Sequence, residues 1–119
     1  MKFSEITLLL NCGECSDRVS GEEAVDIRHA HATDLMSEIL ASPKPGAILL
    51  TALANTQTIR TCKIARVSAV IFTRDKKPNR ETSRLADEYR IPTASTRLSM
   101  FEACGILFSN GIKGIPTDE

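Results

Sequence analysis

The chain has 119 residues, 42 % of them apolar, which suits one packed domain and excludes wholesale disorder. Lysine plus arginine and aspartate plus glutamate balance at 15 each, so no global field draws the chain to nucleic acid; Arg74, Lys76, Lys77 and Arg80 are read as a solvated local cluster. Aromatic residues make up only 4 %, which implies an aliphatic core and leaves few rings on which bases would stack.

The apolar stretches, Leu8–Leu10 among them, are too short to span a bilayer, and the N-terminus lacks the basic start and long apolar run of a signal peptide. A cytoplasmic protein without membrane contact is expected, with Cys12, Cys15, Cys62 and Cys104 acting as thiols or ligands rather than disulfides. Ser4–Leu10 reads as a short apolar helix, and Asn11–Gly21, rich in turn formers, as a loop. Alternation over Ala24–His29 predicts a strand with Val25 and Ile27 on one face. Thr33 or Asp34 is expected to cap a helix whose stripe is Leu35, Met36, Ile39 and Leu40, stopped by Pro43-Lys44-Pro45-Gly46.

From there the pattern alternates regularly. Ala47–Leu53 and Val67–Thr73 are near-continuous apolar runs, as strands buried on both faces require. Between them, Asn55 caps a helix through about Arg66 with Ile59, Cys62 and Ala65 inward. After a polar turn over Asp75–Pro78, Asn79 caps a charged helix through Tyr89 with Leu85, Ala86 and Tyr89 as its apolar contacts. Ile91–Ser95 is a third short strand, and Thr96 is expected to cap a last helix facing inward through Met100, Phe101, Cys104 and Phe108. Asn110-Gly111 ends it, and residues 113–119 read as a loose tail. Strand, helix, strand, helix, strand, helix implies a small, mostly parallel sheet flanked by helices, in one α/β domain over residues 1–112.

Few motifs carry chemistry. Cys12-Gly13-Glu14-Cys15 has the spacing at which two thiolates reach one zinc or iron, but no second pair closes the site. His29 and His31, two apart on a strand, share a face, and with Cys12 or Cys15 would complete a mixed site if the loop folded back. Cys62 and Cys104 read as core thiols, and Glu22, Glu23 and Asp26 as a solvated turn. No serine, threonine or cysteine has a context that marks an activated nucleophile. The best ligand surface follows from topology: an open parallel sheet binds ligands at its strand carboxyl ends, which here carry Thr51, Asn55, Thr73, Arg74, Ser95 and Thr96. Hydroxyls, a guanidinium and helix N-termini suit an anion such as a phosphate.

Asp17-Arg18-Val19-Ser20-Gly21, in a loop before a strand and a Leu-rich helix, resembles the signature of the DRTGG domain family, with Val19 in place of the threonine and Ser20 in place of the first glycine. In matching order, Lys2-Phe3-Ser4-Glu5-Ile6 resembles the family's opening helix, and Pro45-Gly46 with Ile48-Leu49-Leu50-Thr51 its central strand. Ala69-Val70-Ile71-Phe72-Thr73 with Pro78, then Ile91-Pro92, Ser95-Thr96 and Phe101-Glu102, resemble the remaining strands, turn and closing helix. The resemblance implies a fold similar to the N-terminal domain of HPr kinase/phosphatase, a stand-alone copy, a homodimer, and ligand contacts at Asp17 and Arg18. It does not imply a kinase, because the chain has no Gly-x-x-x-x-Gly-Lys-Ser/Thr loop.

The expected function is therefore a non-catalytic regulatory or sensing module without a cofactor. It would dimerise, bind a small phosphorylated metabolite or nucleotide-like ligand, and answer to a partner enzyme. The alternative is a metal- or thiol-dependent accessory protein holding zinc or iron through Cys12, Cys15, His29 and His31, linked to iron-only hydrogenase or other metalloenzyme assembly. A transcriptional regulator ranks last, since no helix-turn-helix pattern or basic stripe is present.

Overall fold

The computed structural model describes residues 1–16 and 26–116, with backbone alone for Glu14–Ser16. The expected strand positions Ala24 and Val25, the signature residues Asp17 and Arg18, and the acidic pair Glu22 and Glu23 lie outside the described residues. Among the described residues five helices, α1 (Phe3–Leu9), α2 (Met36–Leu40), α3 (Thr56–Ala65), α4 (Arg80–Glu88) and α5 (Met100–Ser109), flank one sheet. Its strands are β1 (Glu14–Ser16), β2 (His29–Ala32), β3 (Ala47–Thr51), β4 (Ala69–Phe72), β5 (Thr93–Ser95) and β6 (Lys113–Gly114). They lie in the order β1-β5-β4-β3-β2-β6, with every neighbouring pair parallel except β1 and β5. The fold is α/β, with a small, mostly parallel sheet between helices.

Connection direction decides which helix covers which face. From β2 through β3 and β4 to β5 the chain steps across the sheet one way, and right-handed crossovers put α2, α3 and α4 on the same side. The return from β5 to β6 runs the other way, so α5 covers the opposite face, where α1 joins it. Two cores result. Ile48, Leu50, Ala69, Ile71 and Ala94 meet Ile6 and Leu10 of α1 and Ala103 and Leu107 of α5. Leu49, Val70 and Phe72, one residue out of phase on the same strands, meet Ile39, Ile59, Cys62 and Ala86 of the other layer. Every side chain of β3 and β4 is buried, which is why both strands read as unbroken apolar runs.

Several expectations are corrected. The Asn11–Gly21 loop contains β1, and the second strand begins at His29 rather than ending there. Residues 113 and 114, expected as loose tail, form β6 and pair with His29 and Ala30. Neither Thr33 nor Asp34 is the N-cap of α2: that residue is Leu35, whose amide donates to Thr33 Oγ1 at 3.0 Å. Leu35 and Leu40 lie outside the expected stripe, exposed beside buried Ile39. Thr96 does not cap α5 but donates to the Leu10 carbonyl at 2.7 Å, tying α1 to the end of β5. Ser99 is the cap, in a reciprocal box with Glu102. This cap sits three residues beyond the expected one, and the buried positions of α5 are Ala103 and Leu107 while Phe101 and Phe108 face water.

Candidate functional site

The strand carboxyl ends are where chemistry would be expected, and most of their polar groups are already engaged. Thr51 Oγ1 donates to Asp34 Oδ1 at 2.7 Å, and the Ala52 amide donates to the same oxygen at 2.8 Å. Asp34, expected as a helix cap, thus holds the β3 exit instead. Asn55 accepts from the Thr58 amide at 2.9 Å and is consumed as the cap of α3.

The reversal of connection direction falls between β4 and β5, whose exits lead to opposite faces. This is the topological switch point, where open sheets of this kind leave a crevice. Here the two exit loops are stitched together. The Arg74 amide donates to the Leu98 carbonyl at 2.8 Å, and the Asp75 amide to the Thr96 carbonyl at 2.7 Å. Ser95 Oγ donates to the Lys76 carbonyl at 2.9 Å. Arg74 and Asp75 both take positive φ, 58° each, a conformation that costs on the order of 1–3 kcal/mol per non-glycine residue and needs such bonds to hold it. The first turn of α5, which would otherwise attract an anion, is occupied by Ser99 and the Glu102 carboxylate.

One group at this point is not engaged. Thr73 Oγ1 is fully buried at the exit of β4 and has no hydrogen-bond partner among the described residues. An unsatisfied buried hydroxyl costs about 1–3 kcal/mol. Strand alternation puts it on the α1/α5 side, beside buried Thr96.

The sheet order separates the expected metal ligands. Cys15 lies on β1 and His29 and His31 on β2, with β5, β4 and β3 between them. Four strand steps put roughly 19 Å between those backbones, so a mixed cysteine–histidine site does not assemble across the sheet. Among the described residues no group of three or more His, Cys, Asp and Glu is placed to hold a metal ion. Cys12 packs half-buried against the α1/α5 core. Burial pushes the Cys62 thiol up to about 12 and raises that of Cys104, so neither is a ready thiolate.

His29 and His31 do share a face of β2, but they meet different surroundings. His29 lines an open groove of about 800 Å³ at the amino ends of β2 and β6, with Lys2, Arg28 and Lys113 around it. In the same groove Asp26 pairs with the N-terminal ammonium and, less strongly, with Arg28, which together hold its carboxyl down at about 2. His31 is half-buried, and its Nε2 has no hydrogen-bond partner among the described residues; burial lowers its proton affinity, the Lys44 ammonium lowers it further, and Glu38 opposes them.

A scan against models of known protein families finds none that matches this chain, and a search of curated proteins finds no relative.

Three features escaped sequence reasoning. Lys44, read only as part of a helix stop, is buried, and its Nζ donates to the carbonyls of Ile39 at 3.0 Å, Ser42 at 2.8 Å and Glu38 at 3.3 Å, closing the end of α2. Its flanking prolines, which limit where that stem points, were the available signal. Phe101 and Phe108 stand 87 % and 72 % exposed on α5. Gly105 lies between them in mid-helix, where it costs on the order of 1 kcal/mol relative to alanine. A glycine inside an apolar helical pattern is itself a signal.

Proposed function

We propose that this chain is a non-catalytic regulatory module of DRTGG type that works through protein contact, as a pair of copies. The observation that carries this reading is the outer surface of α5, where two of the chain's four phenylalanines lie in water. Aromatic side chains dominate the energetics of cores and interfaces, and an exposed apolar stripe on one helix marks a contact surface. The engaged polar groups at the strand exits support a non-catalytic reading, since the helix caps, the loop stitches and the Thr51–Asp34 hydrogen bond are all structural duties.

A second element of the reading concerns the signal. Thr73 Oγ1, buried and unpartnered beside the β4–β5 switch point, favours a small phosphorylated or nucleotide-like molecule that opens the stitched loops and takes up that hydroxyl. Sedimentation velocity over a concentration series tests the first part, and thermal denaturation with a panel of nucleotides, phosphate esters, zinc and ferrous iron tests the second. The expected result is a dimer, and a thermal midpoint raised by several degrees with one member of the panel at saturating concentration. A chain that stays monomeric to the highest concentrations would sink the reading. Stabilisation by zinc or ferrous iron alone would replace it with the accessory-protein alternative.

A further inference from the structure

The outer face of α5 carries a pattern that its own protomer does not explain. Phe101, Gly105 and Phe108 recur at four and then three residues, which sets them in one line along the helix. A Cβ built at Gly105 meets nothing within 4 Å, so the fold places no steric demand for glycine there. Gly105 also has no positive φ, so the backbone gives no reason either. A glycine weakens a helix interior, and the remaining physical use for one on an exposed stripe is to let another backbone come close.

Spacing identifies that other backbone. The two rings stand roughly 10 Å apart along the axis, at 1.5 Å per residue, with Gly105 near the midpoint. Such a stripe is complementary to itself when reversed: each phenylalanine meets the other phenylalanine of an antiparallel copy, and the glycines meet at the crossing. A two-fold pair requires this kind of self-complementary patch. Charge favours the antiparallel sense. Glu102, in the first turn, is the only charged residue of α5; a parallel pair would bring two of them together with aligned helix dipoles, and an antiparallel pair separates them. The rings leave on the order of 300 Å² in water between them, taking roughly 200 Å² per ring, enough to centre an interface of about 800 Å² per partner. Leu8 and Leu9 on α1, in the same layer, are exposed and extend the apolar area.

We propose that two copies of this chain associate through α5, the helices crossing antiparallel at Gly105 with Phe101 of each protomer against the partner's Phe108. The inference rests on the dimeric reading above and specifies its surface. Gly105→Gln gives the distinguishing test, because it replaces a poor helix former with a good one and meets open space in the protomer. Its expected signature is opposed: a higher thermal midpoint for the dilute monomer and at least tenfold weaker association by sedimentation velocity. Ile64→Ser, on the opposite layer, leaves association unchanged. Mixing Phe101→Cys chains with Phe108→Cys chains under mild oxidation, with peptide mapping of the products, is expected to join unlike chains through those two positions. A dimer indifferent to Gly105→Gln, or one that joins Phe101→Cys chains to each other, would overturn this crossing and leave the dimeric reading intact. A wild-type chain that remains monomeric would overturn both.

Discussion

The two helical layers of this molecule differ in what they show to solvent. On one face of the sheet, α3 and α4 turn Arg60, Lys63, Arg80, Glu81, Arg84 and Glu88 outward over a core built around Phe72. On the other, α5 has one charged residue and shows water two aromatic rings, while the core beneath it is closed by alanines at 69, 94 and 103. The first layer turns mainly charge outward, although Ile64 of α3 and Leu35 and Leu40 at the ends of α2 are exposed as well. The second is apolar on both sides of its helix: Ala103 and Leu107 are buried toward the sheet, while Phe101 and Phe108 stand in water. An ordinary fold needs only the first arrangement; the second points to a surface meant to be covered.

Substitution of phenylalanine on each side breaks or sharpens this comparison most strongly. Phe72→Ala removes a fully buried ring and is expected to cost about 3–5 kcal/mol in urea denaturation. Phe101→Ala, measured in protein dilute enough to be monomeric, is expected to change stability by no more than about 0.5 kcal/mol. Comparable losses at the two positions would mean that the ring on α5 is not a surface group.

Next in size is the lysine clamp of the polar layer. Lys44→Met deletes the ammonium that closes the end of α2 and strands its carbonyls, with an expected loss of about 1.5–3 kcal/mol by the same measurement. A neutral effect would show that water satisfies those carbonyls equally well.

Smaller effects of opposite sign are expected on the α1/α5 side. Ser99→Ala breaks the capping box of α5 and should cost about 1 kcal/mol. Thr73→Val removes the orphaned hydroxyl at nearly constant shape and should stabilise the protein by about 1 kcal/mol, read as a higher denaturation midpoint. Destabilisation by Thr73→Val would reveal that the hydroxyl is satisfied in solution.

The smallest effect is a pH dependence in the polar layer. Burial and the Lys44 ammonium lower the proton affinity of His31 from the ordinary histidine value of 6.5. Between its lowered folded value and 6.5, the unfolded chain holds more proton at this site than the folded one. Stability attributable to His31 is therefore fully present above 6.5 and declines as the solution is acidified below it. His31→Gln should flatten that decline when denaturation midpoints at about pH 7.5 and about pH 5.5 are compared. An unchanged slope would assign the acid sensitivity to other groups.

Legibility in the sequence followed local physics. The strands at Ala47–Thr51 and Ala69–Phe72 and the helices capped by Asn55 and Asn79 were readable, because unbroken apolar runs and side-chain caps are encoded within a few residues. The edge strands β1 and β6 were not: at three and two residues they have no periodicity to read, and exist only because β5 and β2 offer open edges. The strand-exit residues were correctly placed along the chain, yet their engagement depends on partners such as Asp34 and Leu98 that lie on neighbouring exits.

The sequence by itself determined the α/β alternation, the two-sided burial of the central strands and the interior position of Cys62, since each follows from apolar spacing along one element. Only the tertiary structure decided that Cys15 and the two histidines stand at opposite sides of the sheet, that Lys44 turns inward, and that Phe101 and Phe108 turn outward. In an apolar helix several faces are chemically acceptable to the core, and packing against the rest of the fold decides among them, here in favour of Ala103 and Leu107.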